Sequence, residues 1–223
     1  MEFYKMLSEH YEQIFPLNSK VVEMVESVTP AGGRVLDVGC AKGELVRELF
    51  SRGYDSVGLE YVEELVGFPE KTLVGDMHKV PYTEEEFDTL VCTGNTLVHS
   101  FDIGKVLGEF SRVLKKGGRV VIQILNYDRI MSARPEFLPE IKFGDNSFVR
   151  KYLYRDGCIE FIGELTVGGK TVSSSVELNP ICFSELKDIM NDNGLRVESV
   201  YGGFDLSAFN ENSYATVLIG ERF

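Results

Sequence analysis

A short glycine-containing loop, Asp37-Val-Gly39-Cys40-Ala41-Lys-Gly43, holds the residues whose types and spacing most directly suggest chemistry. Glycine lets a backbone approach a ligand closely and adopt a positive φ, and a helix that begins near Lys42 would present free amide groups at its N-terminus. The loop follows the apolar run 34–38, which is typical of a strand. We therefore predict a ligand site at the carboxyl edge of a parallel sheet, where open sheets bind nucleotides.

The spacing of the glycines distinguishes between two classes of nucleotide ligand. The dinucleotide fingerprint is G-x-G-x-x-G, and its glycine positions fall on Gly39, Ala41 and Glu44 in this sequence. A carboxylate at the third position would repel a pyrophosphate, so the loop does not fit NAD or FAD. Two glycines can also serve the turn alone, and this structural interpretation stays open.

Acidic residues follow the next two predicted strands. Glu60 ends the second strand, where a carboxylate can accept hydrogen bonds from the hydroxyls of a ribose. Asp76 and Met77 follow the third strand. An exposed glutamate at the start of a helix and an ordinary Gly-Asp turn are the structural alternatives for these positions.

Further polar side chains are expected at the same rim of the sheet, after the fourth and fifth strands and on the N-terminal helix. His99 is the one that titrates near neutral pH. The alternatives are core packing for a tyrosine, hydrogen bonding within the protein for the histidine and helix capping for an asparagine. The candidates are Tyr4, Tyr11, Asn95, His99, Asn126 and Tyr127.

The elements that must position these residues alternate between short apolar strands and amphipathic helices. This alternation predicts a parallel sheet covered on both faces, an α/β fold. Two helices, within 2–15 and 19–28, precede the first strand. The predicted strands are 34–38, 56–60, 72–74, 87–92 and 119–125, and the helices between them include 44–50 and 103–114, with Gly117-Gly118 as the stop of the latter.

Beyond Asp128 the hydrophobic pattern changes to a period of two residues, which predicts an antiparallel meander of strands at 148–154, 159–167 and 171–178. A helix at 184–193 and strands at 195–201 and 213–219 then return to the main sheet. We predict one domain, 1–223, with a helical lid at 1–30 and an antiparallel insertion at about 145–180 after strand five.

Composition limits the possible partners. The 223 residues carry a formal net charge of −12, which disfavours nucleic acid as a substrate because protein affinity for phosphates comes mainly from Lys and Arg. No apolar stretch is long enough for a membrane helix, so we expect a cytoplasmic protein with no membrane partner. The four cysteines form no Cys-x-x-Cys pair, and we expect no metal site.

The loop 37–43 resembles motif I of the class I S-adenosylmethionine-dependent methyltransferases, with Ala41 in place of its middle glycine. We interpret this alanine as tolerable, since its methyl group would hinder only a backbone with positive φ. The resemblance implies a three-layer Rossmann-like fold with a mostly parallel seven-stranded sheet. It also implies S-adenosylmethionine as cofactor, with S-adenosylhomocysteine as product. The implied cofactor contacts are Asp37, Gly39, Cys40, Ala41, Gly43, Glu60, Tyr61, Asp76, Met77, Thr93 and Gly94.

The segments 94–99 and 126–128, Gly-Asn-x-x-x-His and Asn-Tyr-Asp, are similar to the glycine and sarcosine N-methyltransferase group within this class. In that group an arginine for the substrate carboxylate precedes Asn-Tyr-Asp, whereas Leu125 stands here, which disfavours glycine as the substrate. The resemblance implies in-line methyl transfer to a nitrogen or oxygen of a small molecule. The catalytic candidates are Tyr11, Asn95, His99 and Tyr127.

Two alternatives to an enzyme remain: a protein that binds the cofactor without catalysis, and a protein-interaction module. Either a monomer or a homodimer is compatible with the sequence. The cofactor motifs would look the same in an active enzyme and in one that has lost its chemistry.

Overall fold

The computed structural model describes residues 2–223. Its central sheet contains β1 (Arg34–Val38), β2 (Asp55–Glu60), β3 (Thr72–Val74), β4 (Phe87–Cys92), β5 (Leu114–Leu125), β10 (Leu195–Tyr201) and β11 (Ala215–Arg222). The strand order is β10-β11-β5-β4-β1-β2-β3. The first five strands run parallel, and β11 is antiparallel to both β5 and β10. The predicted α/β fold with a mostly parallel seven-stranded sheet is confirmed.

The inner strands are apolar because helices cover both faces of the sheet. These helices are α3 (Ser19–Val28), α4 (Glu44–Ser51), α5 (Ile103–Val113) and α7 (Phe183–Asp192). Helix α5 is capped at its N-terminus by Asp102, whose side chain accepts a hydrogen bond from the backbone N–H of Lys105. It ends before the predicted glycine stop, because Leu114 already pairs with Phe87 in the sheet.

The N-terminal stretch, for which the sequence predicts one helix, folds as two, α1 (Glu2–Leu7) and α2 (Tyr11–Ile14). Both helices pack on the meander and beside the glycine loop. Phe3 and Leu7 of α1 and Ile14 of α2 are buried with Phe148, in the meander, and Tyr4 and Tyr11 also pack on the cluster that contains Ala41. Helix α3, in contrast, belongs to the layer that covers the sheet.

The predicted meander forms a second, antiparallel sheet after α6 (Tyr127–Ala133). Its strands are β6 (Ile141–Phe143), β7 (Asn146–Tyr154), β8 (Ile159–Val167) and β9 (Lys170–Leu178), in the order β6-β7-β8-β9. A Cβ at Gly163 would lie 2.6 Å from the ring of Phe148 and 2.7 Å from that of Phe3. The absence of a side chain at Gly163 therefore lets α1 rest on this sheet, which places the α1 side chains over the carboxyl edge of the central sheet.

Among the helices of residues 2–223, none combines the length and apolar character needed to cross a membrane.

Candidate functional site

A cavity of about 440 Å³ lies at the carboxyl edge of the central sheet. The loop after β1, the end of β2 and the segments after β3 and β4 form one side, and α1, α2 and β9 contribute the other residues. The structure brings ten of the residues predicted for the site to its wall: Tyr4, Tyr11, Gly39, Ala41, Glu60, Tyr61, Asp76, Met77, Gly94 and His99.

Seven predicted residues do not line this cavity: Asp37, Cys40, Gly43, Thr93, Asn95, Asn126 and Tyr127. The thiol of Cys40 faces Thr72, with Sγ 3.8 Å from Oγ1. Gly43, at φ +73, caps the N-terminus of α4, and the carbonyl of Thr93 accepts a hydrogen bond from Thr96 Oγ1. Cys40, Gly43 and Thr93 thus make contacts within the protein, and their contact with a ligand stays a prediction.

The glycine loop is held against β2 by its own backbone. The N–H groups of Gly39 and Cys40 donate to the carbonyl oxygen of Leu59, at 2.7 and 3.3 Å. Gly39 has φ +75, and a Cβ there would lie 2.4 Å from Cγ2 of Thr96. Only glycine satisfies both the backbone conformation and the contact.

Gly39→Ala is expected to lower the free energy of unfolding by about 3 kcal/mol or more, because it combines left-handed backbone strain with a buried clash. Gly117→Ala is the matched control. Gly117 has the same φ of +75, and a Cβ added there would meet nothing within 4 Å, so we expect a loss of about 1 to 2 kcal/mol. Urea denaturation of both variants measures the difference, and equal losses would contradict the close contact with Thr96.

Ala41 requires a correction to the sequence interpretation. Its φ is +47, so the alanine occupies the left-handed region in which its methyl group is strained. The same methyl group is buried against Val62 and Leu65. Packing of this group offsets part of the strain, and tolerance of alanine here depends on tertiary contacts.

Glu60 joins the glycine loop to the segment after β2. It is 6% exposed, and its Oε2 accepts the N–H of Ala41 at 2.9 Å while Oε1 accepts the N–H of Val62 at 2.8 Å. Each carboxylate oxygen can accept another hydrogen bond. Glu60 can therefore shape the loop and hold the hydroxyls of a ribose at the same time.

A second buried carboxyl, Asp37, lies beside Glu60. Asp37 pairs with Gly58 across β1 and β2, so Glu60, two residues further along, lies on the same face of the sheet. Burial and the charge of Glu60 raise the pKa of Asp37 to about 7, and burial also raises the pKa of Glu60. The negative charge of Glu60 therefore adds to burial in disfavouring the ionised form of Asp37.

Asp76 lies after β3 with a histidine partner that the sequence interpretation does not include. Asp76 Oδ1 accepts the backbone N–H of His78 at 2.8 Å and lies 2.6 Å from His78 Nδ1, and His78 Nε2 contacts Ser100 Oγ at 2.8 Å. Burial works against ionisation of Asp76, but the hydrogen bonds from His78 lower its pKa overall. Asp76 thus remains an ionised hydrogen-bond acceptor at the cavity wall.

His99 pairs with Tyr4 across the cavity. The two side chains are joined by a hydrogen bond of 2.8 Å between Tyr4 Oη and His99 Nε2, and their rings meet edge to face. Burial lowers the pKa of His99 to about 4, so its ring is neutral at physiological pH. Its Nδ1 is buried and has no hydrogen-bond partner among the described residues.

Asn95 and Tyr127 form an internal contact behind the rim. Asn95 Nδ2 donates to Tyr127 Oη at 2.9 Å, and Asn95 Oδ1 accepts the N–H of Leu125 at 2.9 Å. Tyr127 is 1% exposed. The structure therefore uses both residues to join the ends of β4 and β5. Asn126 caps α6 by accepting the N–H of Arg129, which is the helix-capping alternative considered for this residue.

Several cavity residues were not found from the sequence. Val176 and Glu177 come from β9, and His78 and Thr96 follow strands of the central sheet. A period-two pattern predicts β9 as part of the meander, but no local signal indicates that β9 borders the same cavity as the glycine loop.

Comparisons with known proteins agree with this geometry. Residues 36–122 match a family described as a methyltransferase domain. The chain is 28% identical over 131 residues to a ubiquinone biosynthesis O-methyltransferase of Dechloromonas aromatica, covering 53% of this chain and 56% of the relative. It is 33% identical over 112 residues to a glycine/sarcosine N-methyltransferase of Aphanothece halophytica, covering 44% and 42%. The chain thus spans about half the length of these curated relatives.

Among solved structures, the chain resembles an S-adenosylmethionine-dependent methyltransferase from Clostridium acetobutylicum, with a TM-score of 0.82, 12% identity and coverage of 98% of each chain. That likeness shows the fold. The family match spans β1 to β5, the part of the chain that carries the glycine loop, Glu60 and Asp76. Residues 36–122 thus match a methyltransferase domain, and the whole chain has the fold of a solved S-adenosylmethionine-dependent methyltransferase.

Proposed function

We propose that the protein transfers a methyl group from S-adenosylmethionine to a nitrogen atom of a small molecule by in-line displacement. One observation carries the proposal: Gly39, Glu60 and Asp76, for which we propose contacts with the cofactor, line the same cavity as the Tyr4–His99 pair. A reaction between two bound molecules needs such a shared space, and alignment of the reactants alone can supply about 7 to 11 kcal/mol.

The residues on the cofactor side fit an adenosyl group. Glu60 would accept the ribose hydroxyls and Asp76 the adenine amino group, with Met77 against the ring. The backbone around Gly39 and Ala41 would face the methionine part. When bound, S-adenosylmethionine supplies an electrophilic methyl group on a positively charged sulfur.

The acceptor side favours a nitrogen over an oxygen. A hydroxyl acceptor usually requires a base to remove its proton, and His99 is a weak base, because its pKa is lowered to about 4. A neutral amine needs no base before attack. Its lone pair forms the N–C bond as the S–C bond breaks, the S–C electron pair stays on sulfur, and the extra proton on nitrogen leaves to water. Tyr4 and His99 would orient the amine.

Formation of S-adenosylhomocysteine from S-adenosylmethionine tests the function. We expect turnover with members of a panel of small amines and little or none with phenols and carboxylic acids. Reactions without an acceptor give the background rate of cofactor breakdown. Turnover with phenols but not amines would refute the choice of nitrogen.

Calorimetry with S-adenosylhomocysteine and with NAD separates the remaining outcomes. We expect binding of S-adenosylhomocysteine and none of NAD. Binding without turnover on any acceptor class would indicate a protein that holds the cofactor without catalysis. Absence of binding would reject the enzyme and favour an interaction module.

A further inference from the structure

The inserted sheet brings one carboxylate to the acceptor side of the cavity. Glu177, on β9, is exposed where it borders the cavity, next to Val176. Strand β9 also packs against α1, the helix that carries Tyr4. Glu177 therefore borders the part of the cavity in which the acceptor would lie.

Within residues 2–223, the Glu177 side chain has neither an ion-pair nor a hydrogen-bond partner. It lies directly opposite Glu160 of β8 in the antiparallel register, an arrangement in which two like charges repel. Glu160 is neutralised by Arg155, with a 2.8 Å contact from Nη2, and accepts Ser175 Oγ at 3.2 Å. Among the described residues Glu177 makes no ion pair or side-chain hydrogen bond, so its carboxylate is available to a ligand.

The rest of the cavity also suits a positive charge. The described residues that line it include three carboxylates, Glu60, Asp76 and Glu177, but no Lys or Arg. Glu60 and Asp76 already accept backbone N–H groups. Tyr4 and Tyr11 contribute aromatic rings, which attract cations through their π faces. The unpaired carboxylate and the aromatic wall are independent features that favour the same kind of ligand.

The cation at Glu177 must differ from the nitrogen that receives the methyl group, because a protonated amine has no lone pair for the attack. We propose that Glu177 selects acceptors that carry a second, positively charged group in addition to the reacting nitrogen. This inference rests on the proposed function. It assigns the acceptor to the class of diamines and other amines with a separate cationic group.

Three four-carbon amines that differ only at the far end test the inference: putrescine with an ammonium, aminobutanol with a hydroxyl and γ-aminobutyrate with a carboxylate. Ligand-observed NMR titrations measure their dissociation constants on protein saturated with S-adenosylhomocysteine. We expect putrescine to bind roughly fivefold more tightly than aminobutanol, because an exposed ion pair contributes only modestly to the free energy of binding. We expect γ-aminobutyrate to bind most weakly.

In Glu177→Gln we expect the preference for putrescine over aminobutanol to disappear, while the affinities for aminobutanol and S-adenosylhomocysteine stay unchanged. Glu177→Lys is expected to make γ-aminobutyrate the best of the three. Glu164→Gln is the matched control, because Glu164 is an exposed glutamate of the same sheet outside the cavity.

Equal binding of the three amines, binding of none of them, or a preference that survives in Glu177→Gln would overturn the inference while leaving the methyltransferase proposal intact. If the wild-type protein did not bind S-adenosylhomocysteine, the proposed function itself would be rejected.

Discussion

Replacing Glu60 by alanine is expected to weaken the binding of S-adenosylhomocysteine by roughly ten- to a hundredfold, from the loss of one or two charge-assisted hydrogen bonds. Two effects contribute. The ribose hydroxyls lose their acceptor, and the N–H groups of Ala41 and Val62 lose theirs. Calorimetry with the folded variant measures the change, and an unchanged dissociation constant would reject the role of Glu60 in the cofactor site.

Adenosine and deoxyadenosine distinguish a direct ribose contact from a disturbed loop. If Glu60 binds the ribose, the wild-type protein should prefer adenosine, and Glu60→Ala should lose that preference. A disturbed loop would weaken both nucleosides equally. The control is Glu63→Ala, at an exposed glutamate in the turn after β2. It should leave the affinities for S-adenosylhomocysteine, adenosine and deoxyadenosine unchanged.

Asp37→Asn is expected to change the dependence of stability on pH. The pKa of Asp37 is raised from 3.8 to about 7 by burial and by the charge of Glu60. Below about pH 4 the folded and unfolded chains are both protonated at this position. Between about pH 4 and about pH 7 the unfolded chain loses the proton first, so the stability contributed by the protonated carboxyl declines as pH rises and is lost above the folded pKa.

The shift of roughly three units corresponds to a loss on the order of 4 kcal/mol across this window. Asparagine does not titrate, so the free energy of unfolding of Asp37→Asn should exceed that of the wild type by a margin that grows up to about pH 7 and then levels off. Urea denaturation across the window measures this margin. A margin that is constant with pH would show that Asp37 is ionised in the folded protein.

Asp88→Asn is a control at a carboxyl group whose pKa is shifted in the opposite direction. Although Asp88 is partly desolvated, its hydrogen bonds to Lys115 and to the N–H of Arg34 lower its pKa. Its carboxylate therefore stabilises the fold above the unfolded pKa, and this stability is lost as pH falls through the folded pKa. Its replacement should destabilise the protein at neutral pH.

Local constraints explain which parts of the fold and the site were predictable. The strands β1 to β4 were predicted within one residue of their observed bounds, because each is a short apolar run ended by a turn. Gly39 and Glu60 were found for a similar reason. Gly39 directly follows β1 and Glu60 ends β2, and parallel strands bring those two ends to one edge of the sheet.

Residue type alone could not show how a side chain is used. Asn95 is polar and lies at the rim, yet its amide bonds to Tyr127 and to the N–H of Leu125. Ala41 fits the motif by spacing, yet its strain depends on a φ that the sequence does not reveal. In both cases a neighbour distant in sequence determines the energy of the residue.

The sequence by itself determined the central sheet, the glycine loop and the carboxylates that follow β1, β2 and β3, because these depend on hydrophobic periodicity and on contacts between adjacent elements. Tertiary structure alone decided which residues face the part of the cavity that we propose for the acceptor. Tyr4 meets His99 across 95 positions of sequence, and β9 carries Glu177 to the cavity. An apolar pattern shows that a helix or strand has a face to bury, but only packing against a particular partner decides which polar residues that face brings to the site.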